Sequence, residues 1–416
     1  MGESQYDLII VGGGMVGATL ACALGDSPLR VALVDTSAPN LHWDPEGFDL
    51  RVSALTRATQ RVFEAVGAWP QMASRRVVPY LAMHVWDATG RGAIDFRSAE
   101  VGEADLGHIV ENRVILAALH ERLAAFANVE LLWPAAPAAL TTQADHAELR
   151  LADGRPLRAR LVAGADGAGS WVRREAGITT TGWPYRQTAV VATVKTSRHH
   201  AHAAWQRFMP DGPLALLPLT DNHLSIVWST TPEHAERLLG LEDSAFLDAL
   251  QVAFGQRLGR MEWCGPRAAF PLALQHADDY VRPRIALLGN AAHSIHPLAG
   301  QGLNLGVTDA AALAEVLLAA HTHGRDIGAF SVLRRYERWR KGENVAVMAA
   351  MDGFKRLFGA RAAPLRWARN LGLSAVNLAP AAKEFLIRRA MGLSGDLPRL
   401  ARRRAQDDLS REMNAK

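Results

Sequence analysis

Residues 6–17 read Tyr-Asp-Leu-Ile-Ile-Val-Gly-Gly-Gly-Met-Val-Gly, an apolar run that ends in a G-x-G-x-x-G pattern. The apolar run predicts a buried strand, and a helical pattern from about Met15 to Gly25 follows it. A second apolar run, Val31 to Val34, predicts the next strand. The order of strand, helix and strand predicts a parallel sheet and therefore an α/β fold.

The glycine pattern has a mechanical explanation. Gly12 permits a tight turn, Gly14 lets backbone N–H groups approach a pyrophosphate, and Gly17 allows close contact between helix and strand. The start of the helix adds the positive end of its dipole. Asp35, at the end of the next strand, can accept hydrogen bonds from an adenosine ribose. The pattern predicts a Rossmann-like dinucleotide site, although a glycine-rich turn that serves only the fold would look similar.

Two further glycine clusters follow predicted strands, one at Gly164 to Gly167 and one from Gly289 through Asn304. The first motif does not distinguish NAD from FAD, because both cofactors use the same pyrophosphate cradle. Three turns that converge on one ligand suit the extended FAD molecule, whose ring could meet a helix start near Gly302. We therefore predict an FAD-binding domain.

Between about residues 185 and 230 the pattern changes to short strands separated by His, Pro, Gly and Asp turns. This spacing predicts a mostly antiparallel substrate sheet inserted into the α/β body. We predict a discontinuous FAD-binding domain in residues 1–75, 105–182 and 270–350, a substrate domain in 76–104 and 183–269, and a basic helical C-terminal region in 351–416.

The basic charge of the chain is concentrated near its end. The 416 residues have a formal net charge of +4, but residues 351–404 contain twelve Lys or Arg against three acidic residues, mixed with apolar side chains. Such a segment suits peripheral contact with an anionic membrane. A solvated basic cap and a partner-docking surface fit the pattern equally well. Nucleic acid is not expected, since no reader motif accompanies the charge.

Cysteine and histidine spacings argue against a metal site. Cys22 and Cys264 lie far apart, and His293 and His296 lack the spacing and central Glu of a zinc helix. We recognise neither a signal peptide nor a long uninterrupted apolar run. We therefore expect a cytoplasmic protein, with membrane contact confined to the inner face of the cytoplasmic membrane.

Several stretches resemble the flavin-dependent aromatic hydroxylases of the para-hydroxybenzoate hydroxylase type, and within them the UbiH/UbiI/UbiF group of ubiquinone-biosynthesis hydroxylases. The resemblance extends over nearly the full length. The stretches that carry it are Gly12–Gly17, Asp49–Leu55, Met83–Asp87, Gly107–Arg113, Ala165–Gly167, Gly289–Gly306 and Leu386–Leu393. One departure is Asn290, where the wider family has Asp; Asn keeps an acceptor oxygen but loses the charge.

The resemblance implies an FAD-dependent monooxygenase that hydroxylates the aromatic ring of a polyprenyl phenol through a flavin C4a-hydroperoxide. O2 would be the co-substrate, and NAD(P)H or another electron donor the reductant. Other proteins of a ubiquinone-biosynthesis complex are candidate partners. Two alternatives stay open: a flavin hydroxylase of another aromatic or prenyl substrate, and a non-catalytic FAD-binding member of such a complex.

The resemblance also assigns cofactor-binding residues. Arg51 and Arg113 would lie along the pyrophosphate and ribityl chain, and Asp166 would belong to a motif near the phosphates. The backbone of Gly302, Leu303 and Asn304 would hold the flavin ring. The full predicted set is Gly12, Gly14, Gly17, Asp35, Arg51, Arg113, Asp166, Gly289, Asn290, Gly300, Gly302, Leu303 and Asn304.

Residues for substrate and catalysis are predicted less directly. Pro297 is expected to fix the loop beside the flavin, and His223 is a candidate to interact with the substrate ring. The residues expected to face or enclose the ring and its prenyl tail are Tyr185, Gln206, Phe208, Leu216 and Trp228. Each of them also fits an ordinary role in the core or on the surface of the sheet.

Overall fold

The computed structural model of this protein describes residues 5–295, 300–359, 369–372 and 375–402. Its strands are β1 (Tyr6–Val11), β2 (Val31–Val34), β3 (Val52–Leu55), β4 (Val77–Tyr80), β5 (Ala82–Asp87), β6 (Ala93–Arg97), β7 (Gly107–Glu111), β8 (Val129–Leu132), β9 (Pro137–Thr142), β10 (Ala147–Leu151), β11 (Pro156–Gly164), β12 (Thr180–Thr196), β13 (Ala203–Met209), β14 (Gly212–Pro218), β15 (His223–Thr230), β16 (Met261–Ala277), β17 (Val281–Arg282), β18 (Ile285–Leu287) and β19 (His293–Ser294).

The α-helices of the described residues lie between these strands and after them. They are α1 (Met15–Ala23), α2 (Arg57–Ala65), α3 (Trp69–Ala73), α4 (Asn112–Leu123), α5 (Trp171–Glu175), α6 (Pro232–Leu239), α7 (Asp243–Phe254), α8 (Gln301–Thr322), α9 (Phe330–Gly359) and α10 (Pro380–Ala390).

The first large sheet is built around β1. This strand pairs in parallel with β2 and β11, and the parallel pairing continues from β2 to β8 and from β11 to β18. Strands β9, β10 and β17 extend it with antiparallel pairs. The side chains of Leu8, Ile9 and Ile10 are fully buried, as both faces of a parallel sheet require. The α/β fold predicted from the β1–α1–β2 segment is confirmed.

The second large sheet has the order β19-β16-β12-β15-β14-β13-β5-β6. All its neighbouring pairs are antiparallel except β13 with β5. One face is covered by α6 and α7, whose Leu238, Phe246 and Leu250 pack into the same core as the strands. This is the mostly antiparallel sheet that the sequence predicts. A third, small sheet, β3-β7-β4, packs through Ala54 and Ile109 against Leu217 of β14.

Helix α8 occupies the core between these layers, in contact with α1, α2 and α9. It is long and apolar enough to cross a membrane, but 78% of its most apolar window is buried inside the protein. Such burial is typical of the central helix of a folded domain. No uninterrupted apolar run marks α8 in the sequence, because Asp309 and Glu315 interrupt it.

Two predicted domain boundaries fall within continuous strands. The boundary at 182/183 lies inside β12, and the boundary at 269/270 lies inside β16. Strands β12 and β16 pair with each other along most of their length, from Thr180 with Ala277 to Thr196 with Met261. They therefore form one continuous ladder across both predicted boundaries. The division into domains stays a prediction, and these two boundaries do not coincide with the ends of secondary-structure elements.

The C-terminal region is helical where the structure describes it. Helix α9 ends at Gly359, and α10 begins at Pro380. Residues 360–368, 373–374 and 403–416 of the predicted basic region lie outside the described residues.

Candidate functional site

The Gly12–Gly17 turn is packed too closely for side chains at two positions. A Cβ atom on Gly12, whose φ is +108°, would lie 2.6 Å from the carbonyl oxygen of Ala165. A Cβ atom on Gly17 would lie 1.9 Å from the carbonyl oxygen of Gly12. Only glycine fits these positions. The same contacts bring the end of β11, with its Gly164–Gly167 turn, against the end of β1.

The third glycine cluster meets the first at Val16. A Cβ atom on Gly289 would lie 3.1 Å from the Val16 side chain, and one on Gly306 would lie 2.7 Å from it. The backbone N–H of Leu288 also donates to the carbonyl oxygen of Gly164 at 3.0 Å. The three glycine clusters that the sequence marks are therefore neighbours, at one edge of the parallel sheet.

Two helices present open N-termini at this edge. Gly14 precedes α1 and Gly300 precedes α8, and neither helix start has a side-chain cap or an acidic residue in its first turn. The first N–H groups of a helix have no partner within the helix, so they are available to acceptor atoms of a ligand. Among the described residues, a Cβ on Gly14 would have no neighbour within 4 Å outside its own stretch of chain, which indicates open space beside the α1 start. This arrangement fits an extended dinucleotide with acceptors at both ends.

Asp35 is held beside the glycine turn. Its Oδ2 accepts a hydrogen bond from the backbone N–H of Gly13 at 2.6 Å, and its Oδ1 accepts one from Ser37 N–H at 3.2 Å. The residue is half-buried at the end of β2. Thr36 Oγ1 also donates to Oδ1 at 3.3 Å, so one of the roughly four acceptor positions of the carboxylate, on Oδ2, remains for a ribose hydroxyl.

The structure places the two arginines of the predicted cofactor set differently. The Arg51 guanidinium lies over the ring of Phe270 in β16, 5.3 Å from its centre, and Arg51 is exposed. Arg113 instead donates from Nε to Glu111 at 2.9 Å and contacts the carbonyl oxygen of Gly47. Arg113 therefore holds the residue 43–49 loop.

Glu111 is the residue behind that arrangement, and the sequence gives little sign of it. It is buried and accepts from the N–H of Asp49 at 2.6 Å, from Arg76 at 3.0 Å and from Arg113 at 2.9 Å. A buried carboxylate between two guanidinium groups is a strong local clamp. Only its position at the start of α4, inside a family motif, singles it out in the sequence.

Asp166 caps a helix. Its Oδ1 accepts from Ser170 Oγ at 2.5 Å, and its Oδ2 accepts from the backbone N–H groups of Trp171 and Val172 at 2.7 and 3.0 Å. This uses the carboxylate for the start of α5. Its contribution to the site is to shape the Ala165–Gly167 turn beside Gly12.

Asn304 connects the start of α8 to the β3–α2 segment. Its Oδ1 accepts from Thr56 N–H at 3.0 Å and from Thr59 Oγ1 at 2.7 Å, and its Nδ2 donates to Ala54 O at 2.9 Å and Gly300 O at 3.2 Å. Its backbone N–H falls where the regular helical bonds begin. The free N–H groups of α8 are therefore those up to Leu303, and Asn304 is an anchor behind them.

The start of α8 faces the antiparallel sheet. A Cβ on Gly300 would lie 3.0 Å from Cβ of Ala54, and Ala54 packs with Leu217 of β14. Leu217 belongs to one face of the antiparallel sheet, here called the chamber face. Strand register places on this face Val191, Gln206, Phe208, Pro213, Ala215, Leu217, His223, Ser225, Val227 and Ala268.

The two faces of this sheet differ in burial. On the chamber face, Ala215, Val227 and Ala268 are only half-buried although they lie on central strands. On the other face, Leu214, Leu216 and Ile226 are completely buried against α6 and α7. Open space of an apolar character therefore lies over the chamber face.

The register corrects the prediction for two substrate residues. Leu216 and Trp228 lie on the face covered by α6 and α7, in one core with Leu238 and Phe246. Side chains alternate between the faces of a strand, so these residues point away from the chamber. Gln206 and Phe208 are on the chamber face, as expected, and Phe208 stacks on Phe358 of α9 at 3.8 Å between ring centres.

A groove opens at the far end of the chamber face, between the β13–β14 turn and the end of α9. It is a small groove of about 30 Å³, and its lining includes Gln187, Phe208, Gly212, Lys355 and Phe358. The chamber face extends from Leu217, beside the start of α8, to Pro213, which also lines this groove. Four residues of an extended strand span about 13 Å.

Two further predicted residues, Tyr185 and His223, lie around the chamber. Tyr185 is buried with Leu274 and Met348, beside Ile295, and burial raises its pKa to about 12. His223 lies at the start of β15, 4.7 Å from the ring of Phe48, and burial lowers its pKa. Pro297 lies outside the described residues.

Asn290 and Gly302 lie at the turn and helix start described above. Asn290 is exposed directly after the buried Gly289, and Gly302 has open space around it, with Ile295 the nearest neighbour of an added Cβ at 3.9 Å.

Comparisons with known proteins agree with this geometry. Residues 5–350 match the FAD binding domain family. The ubiquinone hydroxylase UbiL of Rhodospirillum rubrum is 40% identical over 408 residues, covering 96% of this chain and 93% of that protein. The mitochondrial ubiquinone biosynthesis monooxygenase COQ6 of Xenopus tropicalis is 38% identical, covering 93% of each chain. The 3-demethoxyubiquinol 3-hydroxylase of Escherichia coli is 38% identical, covering 94% of this chain and all of that one.

A solved structure gives the same fold. The p-nitrophenol 4-monooxygenase PnpA of Pseudomonas putida superposes with a TM-score of 0.75 at 19% identity, covering 94% of this chain and 99% of that one. The matched family spans most of the chain, and three relatives share more than a third of their residues with it. The chain belongs to the FAD binding domain family and, within it, to the FAD-dependent monooxygenases of ubiquinone biosynthesis.

Proposed function

We propose that this FAD-dependent monooxygenase hydroxylates the aromatic ring of a polyprenyl phenol intermediate in ubiquinone biosynthesis. The observation that carries the proposal is the position of the α8 start, which meets, through Ala54 and Leu217, the half-buried apolar chamber face. A cofactor held at the three glycine clusters thus has an apolar space beside one end. The names of the relatives support the choice of pathway.

The cofactor end of the site binds by backbone groups. The Gly12–Gly17 turn and the α1 start would hold the pyrophosphate, and Asp35 would accept from the ribose. The N–H groups at the start of α8, up to Leu303, would hold the electron-rich edge of the flavin ring. Bound FAD supplies the redox chemistry, taking electrons from NAD(P)H or another donor and activating O2. The protein supplies position and exclusion of water.

The substrate end of the site suits a ring with few polar groups. Most side chains of the chamber face are small and apolar, and Gln206 and Ser225 add buried polar groups to it. We assign to Gln206 a hydrogen bond to the phenol oxygen, which would orient the ring. His223 lies at the Phe48 end of the same face, where it would contact the ring side of the chamber.

The prenyl tail would follow the chamber face to the groove beside the end of α9. Gly359 lines this groove, and a Cβ there would have no neighbour within 4 Å among the described residues outside its own stretch of helix. Gly353 in the same helix has equally open surroundings and does not line the groove. Gly359→Trp should therefore fill the groove without disturbing the fold, and Gly353→Trp is its matched control.

The tail is tested with two substrates that share one ring but have a long or a very short prenyl chain. We expect Gly359→Trp to lower kcat/KM for the long-tail substrate at least fivefold while the short-tail substrate is converted as before. Gly353→Trp should change neither. Equal effects of Gly359→Trp on the two substrates would show that the tail leaves by another route.

The activity itself is tested on the purified yellow protein. A prenyl phenol should stimulate consumption of NAD(P)H and O2, or of another supplied electron donor, and the hydroxylated product should be identified by mass spectrometry. A strain that lacks the gene should accumulate the unhydroxylated precursor. Reduction of bound flavin without any hydroxylated product, together with a normal quinone profile in the deletion strain, would favour a non-catalytic FAD-binding member of the pathway.

We also propose that the C-terminal helices contact the inner face of the cytoplasmic membrane. Large apolar side chains are exposed on α9, α10 and the segment between them, among them Leu378 at 81% and Phe385 at 65%. Lys355 and Arg388 lie on the same helices. Apolar and basic groups together suit an anionic bilayer, where a prenyl phenol dissolves.

Binding to vesicles tests the membrane proposal. Vesicles that contain anionic lipid should sediment the protein, vesicles of neutral lipid should sediment less, and Phe385→Ser should weaken binding several-fold. Phe330→Ser is the matched control, since Phe330 is also exposed but lies at the opposite end of α9. If the protein does not bind vesicles, and another protein of ubiquinone biosynthesis binds this surface instead, the membrane proposal is overturned and the surface is a docking site of a complex.

A further inference from the structure

One carboxylate in the core of the protein joins the parts of the cofactor site that come from the C-terminal half. Asp309 lies in α8, two turns after its start, and its side chain is completely buried. Its Oδ2 accepts from the backbone N–H of Gly289 at 3.2 Å and from His293 Nε2 at 2.5 Å. A buried carboxylate requires such partners, because an unpaired one would be very unfavourable.

The other oxygen of Asp309 binds α9. Oδ1 accepts from Arg340 Nε at 2.9 Å and from Asn344 Nδ2 at 3.0 Å, and Arg340 also donates to the Asn344 amide oxygen at 3.0 Å. Burial alone would raise the pKa of Asp309, but His293, Arg340 and their hydrogen bonds lower it to about 2. All four acceptor positions of an ionised carboxylate are therefore filled.

The partners of Asp309 are the supports of the proposed cofactor contacts. Gly289 N–H fixes the turn that presents the exposed Asn290, and His293 begins the segment that leads to the α8 start. Asp309 is part of the helix whose first turn includes Gly302 and Leu303. One side chain thus sets the distance between the Asn290 turn and the α8 start.

We infer that Asp309 is a positioning residue for FAD. Asp309 acts through Gly289 and His293, and its own side chain is held by Arg340 and Asn344 of α9. The inference rests on the proposed placement of FAD between the Gly289–Asn290 turn and the start of α8 at Gly302 and Leu303. It adds a residue outside the expected set of cofactor contacts. It also makes the geometry of the flavin end of the site depend on α9, which continues to the groove at Phe358.

The test measures FAD release by holoprotein on dilution, followed as the rise in flavin fluorescence, together with the visible spectrum of the bound flavin. In Asp309→Asn one acceptor oxygen becomes an NH2 group that faces donors. We expect the Kd for FAD to rise at least tenfold and the flavin spectrum to shift. Tyr336→Phe is the matched control: it removes a buried hydrogen bond of 2.9 Å from α9 to Leu287 without touching Asp309. That variant should lose thermal stability and keep its FAD affinity within twofold.

A second pair of variants decides the outcome if Asp309→Asn does not fold. His293→Ala removes one donor to Asp309, whereas His293→Gln keeps an N–H donor at the end of its side chain. We expect weaker FAD binding in the first and recovery to within threefold of the wild type in the second. Folded variants that all retain wild-type FAD affinity and spectrum would overturn the role of Asp309. Tight FAD binding by the wild-type protein without ring hydroxylation, with weaker binding in the Asp309 and His293→Ala variants, would instead refute the proposed function and leave this role standing.

Discussion

Two neighbouring residues of β14 should respond to substitution in opposite ways. Leu216 is completely buried in the core with α6 and α7, whereas Ala215 faces the chamber and is half-buried. Leu216→Ala should lower the free energy of unfolding by about 2–5 kcal/mol, because it removes buried methyl groups and leaves a cavity. Ala215→Phe should change the free energy of unfolding by less than about 1 kcal/mol, because its ring extends into open space.

Activity should follow the reverse order. A phenyl ring at position 215 fills space that the substrate needs, so kcat/KM should fall at least tenfold, a loss of about 1.4 kcal/mol in transition-state binding. Leu216→Ala, measured well below its melting temperature, should keep kcat/KM within about threefold. The assays are chemical denaturation, flavin content and steady-state hydroxylation. Strong destabilisation by Ala215→Phe with loss of activity in folded Leu216→Ala would show that the two faces have been assigned the wrong way round.

Three further substitutions test the site and the core. Gly17→Ala places a Cβ 1.9 Å from Gly12 O, so the turn must open; we expect about 1–3 kcal/mol lower stability and less bound flavin, and unchanged flavin content would contradict the packing. Glu111→Gln should free the residue 43–49 loop, seen as faster cleavage there in limited proteolysis, whereas an unchanged cleavage pattern would count against the clamp. Burial lowers the pKa of His200 from 6.5 to about 4. Its folded form resists protonation, so stability should fall as pH drops from 6.5 to 4, by at most about 1.4 kcal/mol per pH unit for this group. His200→Gln should reduce that slope, measured by denaturation at several pH values.

The parallel sheet and its glycine turns could be predicted because their requirements are local. Backbone atoms lie where a Cβ on Gly12 or Gly17 would be, so both positions require glycine. The glycines of this pattern can be recognised from the sequence alone. The acidic residue after β2 follows from the same motif. Asp35 indeed lies at the turn, bound to Gly13.

The faces of the antiparallel sheet could not be predicted in the same way. Leu216 and Trp228 are as apolar as any residue that walls a cavity, and both sheet faces are apolar. Which face a residue occupies depends on strand register and on where α6 and α7 pack, and both are set by distant parts of the chain.

Charged side chains were the other difficulty. The sequence shows Arg113 and Asp166 within family motifs. It does not show that the Arg113 side chain binds Glu111, or that the Asp166 carboxylate binds the start of α5. Asp309 did leave a signal, as one of two acidic residues, with Glu315, in the otherwise apolar α8. A charge at such a position must have partners, which the sequence alone does not identify.

The two long strands that cross the predicted boundaries also limit how this enzyme can be recombined with its relatives. A chimera joined inside β12 or β16 would pair half of one parent's strand with half of another's and would mismatch the ladder. The hairpins β13 to β15, residues 203–230, form a more suitable cassette, since they begin after the turn at 197–202 and end just before α6. Exchange of that cassette would transplant much of the chamber face while both parents' cofactor elements stay whole.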